Sequence, residues 1–91
     1  MVEIKVKIVN QLGLHARAAA QLVRLASNFS SRIIIKRSDE ADLLADAKSI
    51  LSVLNLAASR GTVLELEFEG EDEKAASVAI EELISGGFGE M

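Results

Sequence analysis

The sequence predicts an α+β protein in which helices pack on one face of an antiparallel sheet. Stretches with a period of two residues alternate with stretches of helical period, in the order β-α-β-(β)-α-β-α. The strand-like stretches are apolar on one side only, whereas strands of a parallel sheet buried on both faces would be apolar throughout. A chain of 91 residues is long enough for one modest core but not for two. We therefore expect one domain over residues 1–91.

The hydrophobic pattern predicts the first strand and the first helix. Apolar residues occupy alternate positions from Val2 to Ile8, with charged residues between them. From Ala16 the apolar residues recur at helical spacing, and polar residues occupy the opposite face. The apolar face contains Ala18, Leu22, Leu25, Ala26 and Phe29, and the polar face contains Arg17, Gln21, Arg24 and Asn28. This amphipathic helix has a basic outer face and begins beside the single histidine, His15.

The middle of the chain contains a second strand and a stretch that the pattern does not resolve. Residues 32–36, RIIIK, are short and β-branched, which predicts a strand. Residues 37–48 fit either a short third strand or a loop with helical turns. No Asn-Gly or Asp-Gly pair marks a tight hairpin there, and the acidic stretch from Asp39 to Asp46 is longer than a tight hairpin requires.

The last part of the chain predicts a short helix, a strand and a longer helix. Ser49 is a good N-cap residue for the short helix, and Gly61 is a plausible residue for its end. In TVLELEFEG, glutamates alternate with apolar residues, and beside the first strand they would face Lys5 and Lys7. The final helix lies in EDEKAASVAIEELISGG, with acids in its first turn and two glycines at its end. Its apolar face contains Ala76, Ala79, Ile80 and Leu83.

The composition argues against several classes of function. The net charge is −4 and the ten Lys and Arg residues are dispersed, so we expect no nucleic-acid binding. No stretch is long and apolar enough for a membrane span, so we expect no membrane insertion. The absence of Cys excludes disulfides and thiolate chemistry and fits a reducing cytoplasm. A single His rules out a multi-histidine metal site, and we expect neither a metal nor a cofactor.

The position of His15 suits a reversible phosphohistidine. A histidine just before a helix faces free backbone N–H groups and the positive end of the helix dipole, which favour its neutral, nucleophilic form. The same N–H groups would donate to the oxygens of a phosphoryl group placed on the ring. Arg17 can add a planar, permanently charged guanidinium, and Gly13 allows a tight turn of the loop.

A plain structural role is the alternative for both residues. A lone histidine near a helix start is often a surface or capping residue, and Arg17 could be a solvated helix residue. No second base, acid or metal-ligand cluster lies nearby in the sequence. If His15 is reactive, the sequence therefore predicts a group carrier rather than a self-contained catalyst, with the chemistry supplied by a partner.

The chain resembles the histidine-containing phosphocarrier protein HPr family of the phosphoenolpyruvate-dependent phosphotransferase system. The resemblance rests on GLHARAAAQL, on KSILSVLNL, on the final GGFGE, and on the length and element order. It implies an open-faced β-sandwich, a four-stranded antiparallel sheet of order 1-4-2-3 with three helices on one face. It also implies that Nδ1 of His15 takes a phosphoryl group from Enzyme I, that Arg17 steadies it, and that an acceptor protein of a sugar or nitrogen-related system receives it. We expect a cytoplasmic monomer.

The resemblance gives Ser49 a second possible role. In many Gram-positive members an ATP-dependent HPr Ser kinase phosphorylates the matching serine, and the modified protein then regulates carbon metabolism. A regulatory paralogue that acts through Ser49 or through protein docking is therefore the alternative function. An N-cap role alone would also favour serine at this position, by about 1 kcal/mol.

The short helix that follows Ser49 resembles the family's apolar docking patch. Leu51 and Leu54 are the residues we expect to be exposed, and we expect Ile50 and Val53 to pack in the core. With Arg17 and Arg24 nearby, the exposed leucines would form an apolar centre with a positive rim, suited to an acidic partner surface.

Ala18 departs from the family motif G-[IL]-H-A-R-P-A, which has proline at this position. The chain contains no proline at all. Proline in the first helical turn fixes φ without removing a needed donor, so alanine permits the helix but leaves the loop less preset. The nucleophile and the arginine are unchanged. Two alternatives therefore stay open: the main sugar phosphocarrier, or a paralogue with slower transfer or a regulatory duty.

Overall fold

The computed structural model describes residues 1–90, with the backbone alone at position 41. Its elements follow the predicted order and include the third strand. They are β1 (Val2–Lys7), α1 (Ala16–Ala26), β2 (Arg32–Arg37), β3 (Glu40–Asp46), α2 (Ile50–Leu54), β4 (Val63–Glu69), α3 (Glu73–Ser85) and a 3₁₀ turn over Gly87–Gly89.

The four strands form one antiparallel sheet of order β1-β4-β2-β3, as the resemblance implied. In the register between β1 and β4, Lys5 lies opposite Glu65, as predicted. The prediction for Lys7 was wrong, because Lys7 lies opposite Val63. Glu65 and Glu67 instead lie within 4.0 Å and 3.8 Å of the Lys36 ammonium on β2. The acidic strand is thus balanced mainly from its other neighbour.

The core lies between the sheet and the helices. The inward side chains of β4 are fully buried, and so are the apolar residues on the inner faces of α1 and α3. The predicted inner faces are largely confirmed, although Leu25, Phe29, Ala79 and Leu83 are only partly buried. The core's largest fully buried apolar side chains are Phe68, Ile8, Leu22, Ile33, Ile35, Leu56, Leu64, Leu66, Ile80, Ile84 and Val53.

A tight hairpin joins β2 and β3, although the sequence carried no strong turn signal. Arg37 pairs with Glu40 across a turn at Ser38 and Asp39, while Lys36 pairs with Leu44. The register shift between these pairs places the extra residues of the acidic stretch in an irregularity of β3. The Arg37 guanidinium donates two hydrogen bonds of 2.9 Å to the Asp39 carboxylate, which holds the turn without glycine.

The helix after Ser49 is shorter than predicted. It spans five residues and ends at Leu54, with Asn55 as its C-cap residue. Gly61 therefore does not end the helix, and that prediction was wrong. Gly61 instead lies in the turn before β4, where its N–H donates to the carbonyl of Ile8 at 2.7 Å. Its positive φ of 93° suits the turn, since glycine carries no Cβ.

Candidate functional site

His15 is the N-cap residue of α1. Its backbone is extended (φ −73°, ψ 178°), and its Nδ1 accepts a 3.3 Å hydrogen bond from the N–H of Arg17. The first bond of the helix follows, from the N–H of Ala19 to the carbonyl of His15 at 2.8 Å. The ring therefore lies where α1 has N–H groups without helical partners, as the sequence predicted. An anion bound to Nδ1 would face these donors and the positive helix end.

The loop before His15 is held tightly against the chain after α2. Gly13 has a φ of +65°, and its N–H donates to the carbonyl of Asn10 at 3.1 Å. The next N–H, of Leu14, donates to the carbonyl of Ala58 at 2.8 Å. A Cβ at position 13 would lie 2.7 Å from that carbonyl oxygen and 2.9 Å from the Cα of Ser59. Position 13 thus needs glycine both for its left-handed backbone and for its close approach.

The other ring nitrogen contacts a carboxylate from the far end of the chain. Nε2 of His15 hydrogen-bonds Oε2 of Glu90, 75 positions away in the sequence. The Asn10 side-chain amide donates to Oε1 of Glu90 at 2.9 Å and to the carbonyl of Gly13 at 2.8 Å. These hydrogen bonds, from Asn10 first and from His15 second, lower the pKa of the Glu90 carboxyl. No pattern in the sequence marks Asn10 or Glu90 as a residue of the site.

The 3₁₀ turn brings Glu90 to the site. Gly87, Phe88 and Gly89 all have positive φ, of 67°, 57° and 75°, which reverses the chain after α3. The Phe88 side chain is buried in the core and anchors this reversal. Left-handed backbone at a non-glycine residue is unusual and costs free energy, so the packing of Phe88 must offset that strain. The only sequence signal was the GGFGE segment itself.

The contacts of the imidazole fix its tautomer. A carboxylate only accepts hydrogen bonds, so Nε2 must carry the proton that it donates to Glu90. In the neutral ring Nδ1 then has a free lone pair, consistent with its acceptance of the Arg17 N–H. The ring nitrogen with a free lone pair is therefore the one that faces the start of α1.

The ring borders an open depression of about 630 Å³. Its lining residues are Gln11, Leu12, His15, Arg17, Gly89 and Glu90. Arg17 is exposed, and its charge contributes to the lowered pKa of Glu90. His15 keeps about a quarter of its side chain accessible to solvent (26%). The structure thus brings together His15 and Arg17, as predicted, on an accessible surface.

Ser49 is the N-cap residue of α2, as predicted. Its hydroxyl accepts from the N–H of Ser52 at 3.4 Å, and the residue is partly exposed. The N-terminal turn is further tied to β3, because the N–H of Asp46 donates to the hydroxyl of Ser52 at 2.9 Å. The geometry therefore accounts for a serine here through capping alone.

The exposed face of α2 differs in part from the prediction. Leu51 is 72% exposed, as expected, but Leu54 is half-buried against the core. Ile50, expected in the core, is 41% exposed, and Val53 is fully buried as predicted. In a helix of only five residues, the face that packs depends on how the helix sits on its neighbours, and this one turns Ile50 and Leu51 outward.

Two further residues are exposed, Leu12 beside the ring and Arg24 at the other end of α1. Leu12, which no sequence pattern marked, is 69% exposed and lines the depression beside His15. Arg24 is exposed in the last turn of α1, away from the ring, and α1 packs against α2.

Within residues 1–90 there is no group of three or more His, Asp or Glu side chains suited to a metal ion. None of the described helices is long and apolar enough to cross a membrane.

The fold and the site define a small open-faced β-sandwich that presents one histidine at a helix start. Residues 2–86 match the family model described as the PTS HPr component phosphorylation site. The chain is 42% identical over 90 residues to the phosphocarrier protein HPr of Neisseria meningitidis, covering 99% of this chain and 98% of that protein. It is 44% identical over 90 residues to the HPr of Cupriavidus necator, with the same coverage. The chain belongs to the HPr family of phosphocarrier proteins.

Solved structures agree with this assignment. The crystal structure of HPr from Thermoanaerobacter tengcongensis superposes with a TM-score of 0.91 at 42% identity, covering 100% of this chain and 99% of that one. A crystal structure of an HPr dimer from the same organism has a TM-score of 0.76 at 42% identity, covering 99% of this chain and 100% of that one. The open-faced sandwich implied by the resemblance is therefore confirmed.

Proposed function

We propose that His15 accepts a phosphoryl group from Enzyme I and passes it to an acceptor protein of a sugar or nitrogen-related phosphotransferase system. The single observation that carries this proposal is the N-cap geometry of His15: Nδ1 faces the start of α1 while Nε2 is held by Glu90. We further propose that the chain acts in the cytoplasm, as a single-domain monomer.

The transfer requires only a neutral ring and an in-line donor. The lone pair of Nδ1 forms a bond to phosphorus while the bond from phosphorus to the donor breaks, and the electron pair of that bond returns to the donor. Nε2 keeps its proton, so the phosphorylated ring carries a positive charge. Transfer to the acceptor breaks the P–Nδ1 bond and returns its electron pair to the ring, which is then neutral again. The carrier supplies position and charge, and its partners supply the reacting groups.

Arg17 and the first N–H groups of α1 supply the positive surroundings of the phosphoryl oxygens. Arg17 is exposed beside the ring and lines the same depression, so its guanidinium can swing toward the oxygens without rearranging the backbone. Charge-assisted hydrogen bonds of this kind are about twice as strong as neutral ones. Replacement of Arg17 by alanine should therefore slow transfer while leaving the fold intact.

The partner-binding surface combines Leu12 and Leu51 with Arg17 and Arg24. Both leucines are more than two-thirds exposed, at 69% and 72%. Leu12 lines the same depression as Arg17, and Leu51 is on α2, which packs against α1, so an apolar centre with basic residues on α1 is available to a partner. A Leu51→Glu variant should accept phosphate from Enzyme I more slowly, because a carboxylate would replace the apolar contact. Val78→Glu is the matched control, because Val78 is an exposed apolar residue on α3, 53% accessible. Equal rates for the two variants would refute the docking surface.

Phosphorylation of the chain tests the function directly. The protein is incubated with phosphoenolpyruvate and a compatible Enzyme I, and the label is tested for stability in acid. We expect an acid-labile adduct that disappears in His15→Ala. Absence of labelling by an Enzyme I that is active on its cognate carrier would refute the proposal.

Regulation through Ser49 is the second candidate function. It is supported by the partial exposure of Ser49 at the start of α2, next to the exposed Ile50 and Leu51. A phosphate there would lie near a helix start and would change the charge of the partner-binding surface. An HPr Ser kinase with ATP would then give an acid-stable label that is lost in Ser49→Ala. Failure of an active kinase to label the wild-type chain would contradict this role.

A further inference from the structure

Asn10 is one of the three buried polar side chains among the described residues. It is fully buried, and it lies between the loop that carries His15 and the last part of the chain. Both of its described donor contacts end on acceptors of the site, the Gly13 carbonyl and the Glu90 carboxylate. Its side-chain oxygen has no partner within the described residues, which makes the burial costly. A buried polar group without a partner calls for an explanation, and the two hydrogen bonds that Asn10 donates offer one, because they hold Glu90 beside the loop that carries His15.

Two donors converge on Glu90, and only a carboxylate can satisfy both. Oε1 accepts from the Asn10 amide and Oε2 accepts from Nε2 of His15. A glutamine at position 90 would present one acceptor and one donor, so it would meet one of the two N–H groups with an N–H of its own. Rotation of the Asn10 amide would not solve the conflict, because its oxygen would then face the Gly13 carbonyl.

We propose that Glu90, held by Asn10, is a positioning residue that fixes His15 in the Nε2–H tautomer and balances the positive charge of the phosphorylated ring. The second part rests on the proposed function. The mechanism transfers no proton: Nε2 keeps its hydrogen throughout, and the carboxylate compensates the charge that appears when Nδ1 binds phosphorus. Glu90 stabilises the phosphorylated ring more than the neutral one, because only the phosphorylated ring is charged.

The charge state of Glu90 supports this role. The hydrogen bonds from Asn10 and His15 keep the pKa of its carboxyl below the ordinary value, so it is ionised at neutral pH. The carboxylate and Arg17 line the same depression, with Arg17 available to the phosphoryl oxygens and Glu90 bound to the opposite nitrogen of the ring. The two charges thus act on different parts of the phosphohistidine.

The test compares Glu90→Gln with the wild type by two measurements. The first is ¹⁵N NMR of the imidazole at about pH 9, where histidine is neutral; the chain has one histidine, so its ring signals need no further assignment. We expect the Nε2 resonance to shift and the Nδ1–H tautomer to become more populated. The second is the rate of phosphorylation by Enzyme I and phosphoenolpyruvate. We expect this rate to fall about 10-fold, because the variant loses one charge-assisted hydrogen bond to the phosphorylated ring.

Glu71→Gln is the matched control. It removes the same charge from an exposed residue that follows β4, at the opposite end of the sheet from His15. It should leave both the ring signals and the rate unchanged. A merely structural role of Glu90 would alter the thermal unfolding of the variant without changing the tautomer of the ring.

The outcomes separate this inference from the proposed function. Identical ring nitrogen shifts in the wild type and in Glu90→Gln would overturn the tautomer assignment, whatever the transfer rate. Shifted ring signals with an unchanged rate would overturn the charge-balancing part. A wild-type chain that Enzyme I does not label would refute the proposed function and with it the charge-balancing part, while the NMR comparison would still decide the tautomer part.

Discussion

Replacement of Gly13 by alanine should destabilise the protein more than the same change at a glycine where a Cβ would meet no other atom. A non-glycine residue in left-handed backbone costs about 1–2 kcal/mol, and Gly13 has a φ of +65°. The new Cβ would also lie 2.7 Å from the Ala58 carbonyl oxygen and 2.9 Å from the Cα of Ser59, so the loop must move. That movement weakens the hydrogen bond from Leu14 to Ala58, a loss of about 1 kcal/mol. The expected total is about 2–3 kcal/mol.

Gly89→Ala separates the backbone term from the steric term. Gly89 has a similar φ of +75°, but a Cβ there would meet nothing within 4 Å. Both substitutions also reduce the freedom of the unfolded chain by the same amount, so this contribution cancels between them. Urea unfolding followed by circular dichroism gives both free energies of unfolding. We expect Gly13→Ala to be less stable than Gly89→Ala by about 1 kcal/mol or more. Equal stabilities would refute the argument from close approach.

Three further predictions concern α1, α3 and α2. Ala18→Pro should raise the free energy of unfolding by about 0.4–1 kcal/mol. The first backbone hydrogen bond of α1 is donated by Ala19, so proline at position 18 removes no hydrogen bond of the helix. A lower free energy of unfolding would mean that the buried position has no room for the proline ring. Hydrogen bonds from Ser31 and Ser30 lower the pKa of Asp72 to about 2 from 3.8, so its stabilising effect is complete above about pH 4 and disappears as the pH falls toward 2. Acid unfolding should show this loss, and Asp72→Asn should abolish it; an unchanged profile would contradict the assignment. Ser49→Ala should lower the free energy of unfolding by about 0.5–1 kcal/mol in urea, and no loss would mean that the 3.4 Å cap bond contributes nothing.

Local signals in the sequence predicted most of the fold and half of the site. Alternating and helical hydrophobic periods are properties of neighbouring residues, so β1, α1, β4 and α3 could be located without the structure. The same holds for His15 and Ser49, since an N-cap is defined by the helix that follows it.

The remaining features depend on tertiary contacts. Glu90 reaches His15 only because three successive residues with positive φ reverse the chain after α3, and no local pattern encodes where that reversal ends. The hairpin between β2 and β3 is held by Arg37 and Asp39 rather than by a glycine turn, which left its register open. Helix α2 has only five residues, too few for the hydrophobic pattern to predict which face packs against the core. Its exposure of Ile50 and partial burial of Leu54 were therefore not predictable.

The identity of the phosphorylated atom tests the central claim most directly. Protein labelled with ¹⁵N is phosphorylated by Enzyme I and phosphoenolpyruvate, and NMR identifies the ring nitrogen bonded to phosphorus. The account predicts one phosphoryl group, on Nδ1 of His15, because Nε2 carries the proton donated to Glu90. Attachment at Nε2, or at any residue other than His15, would contradict it.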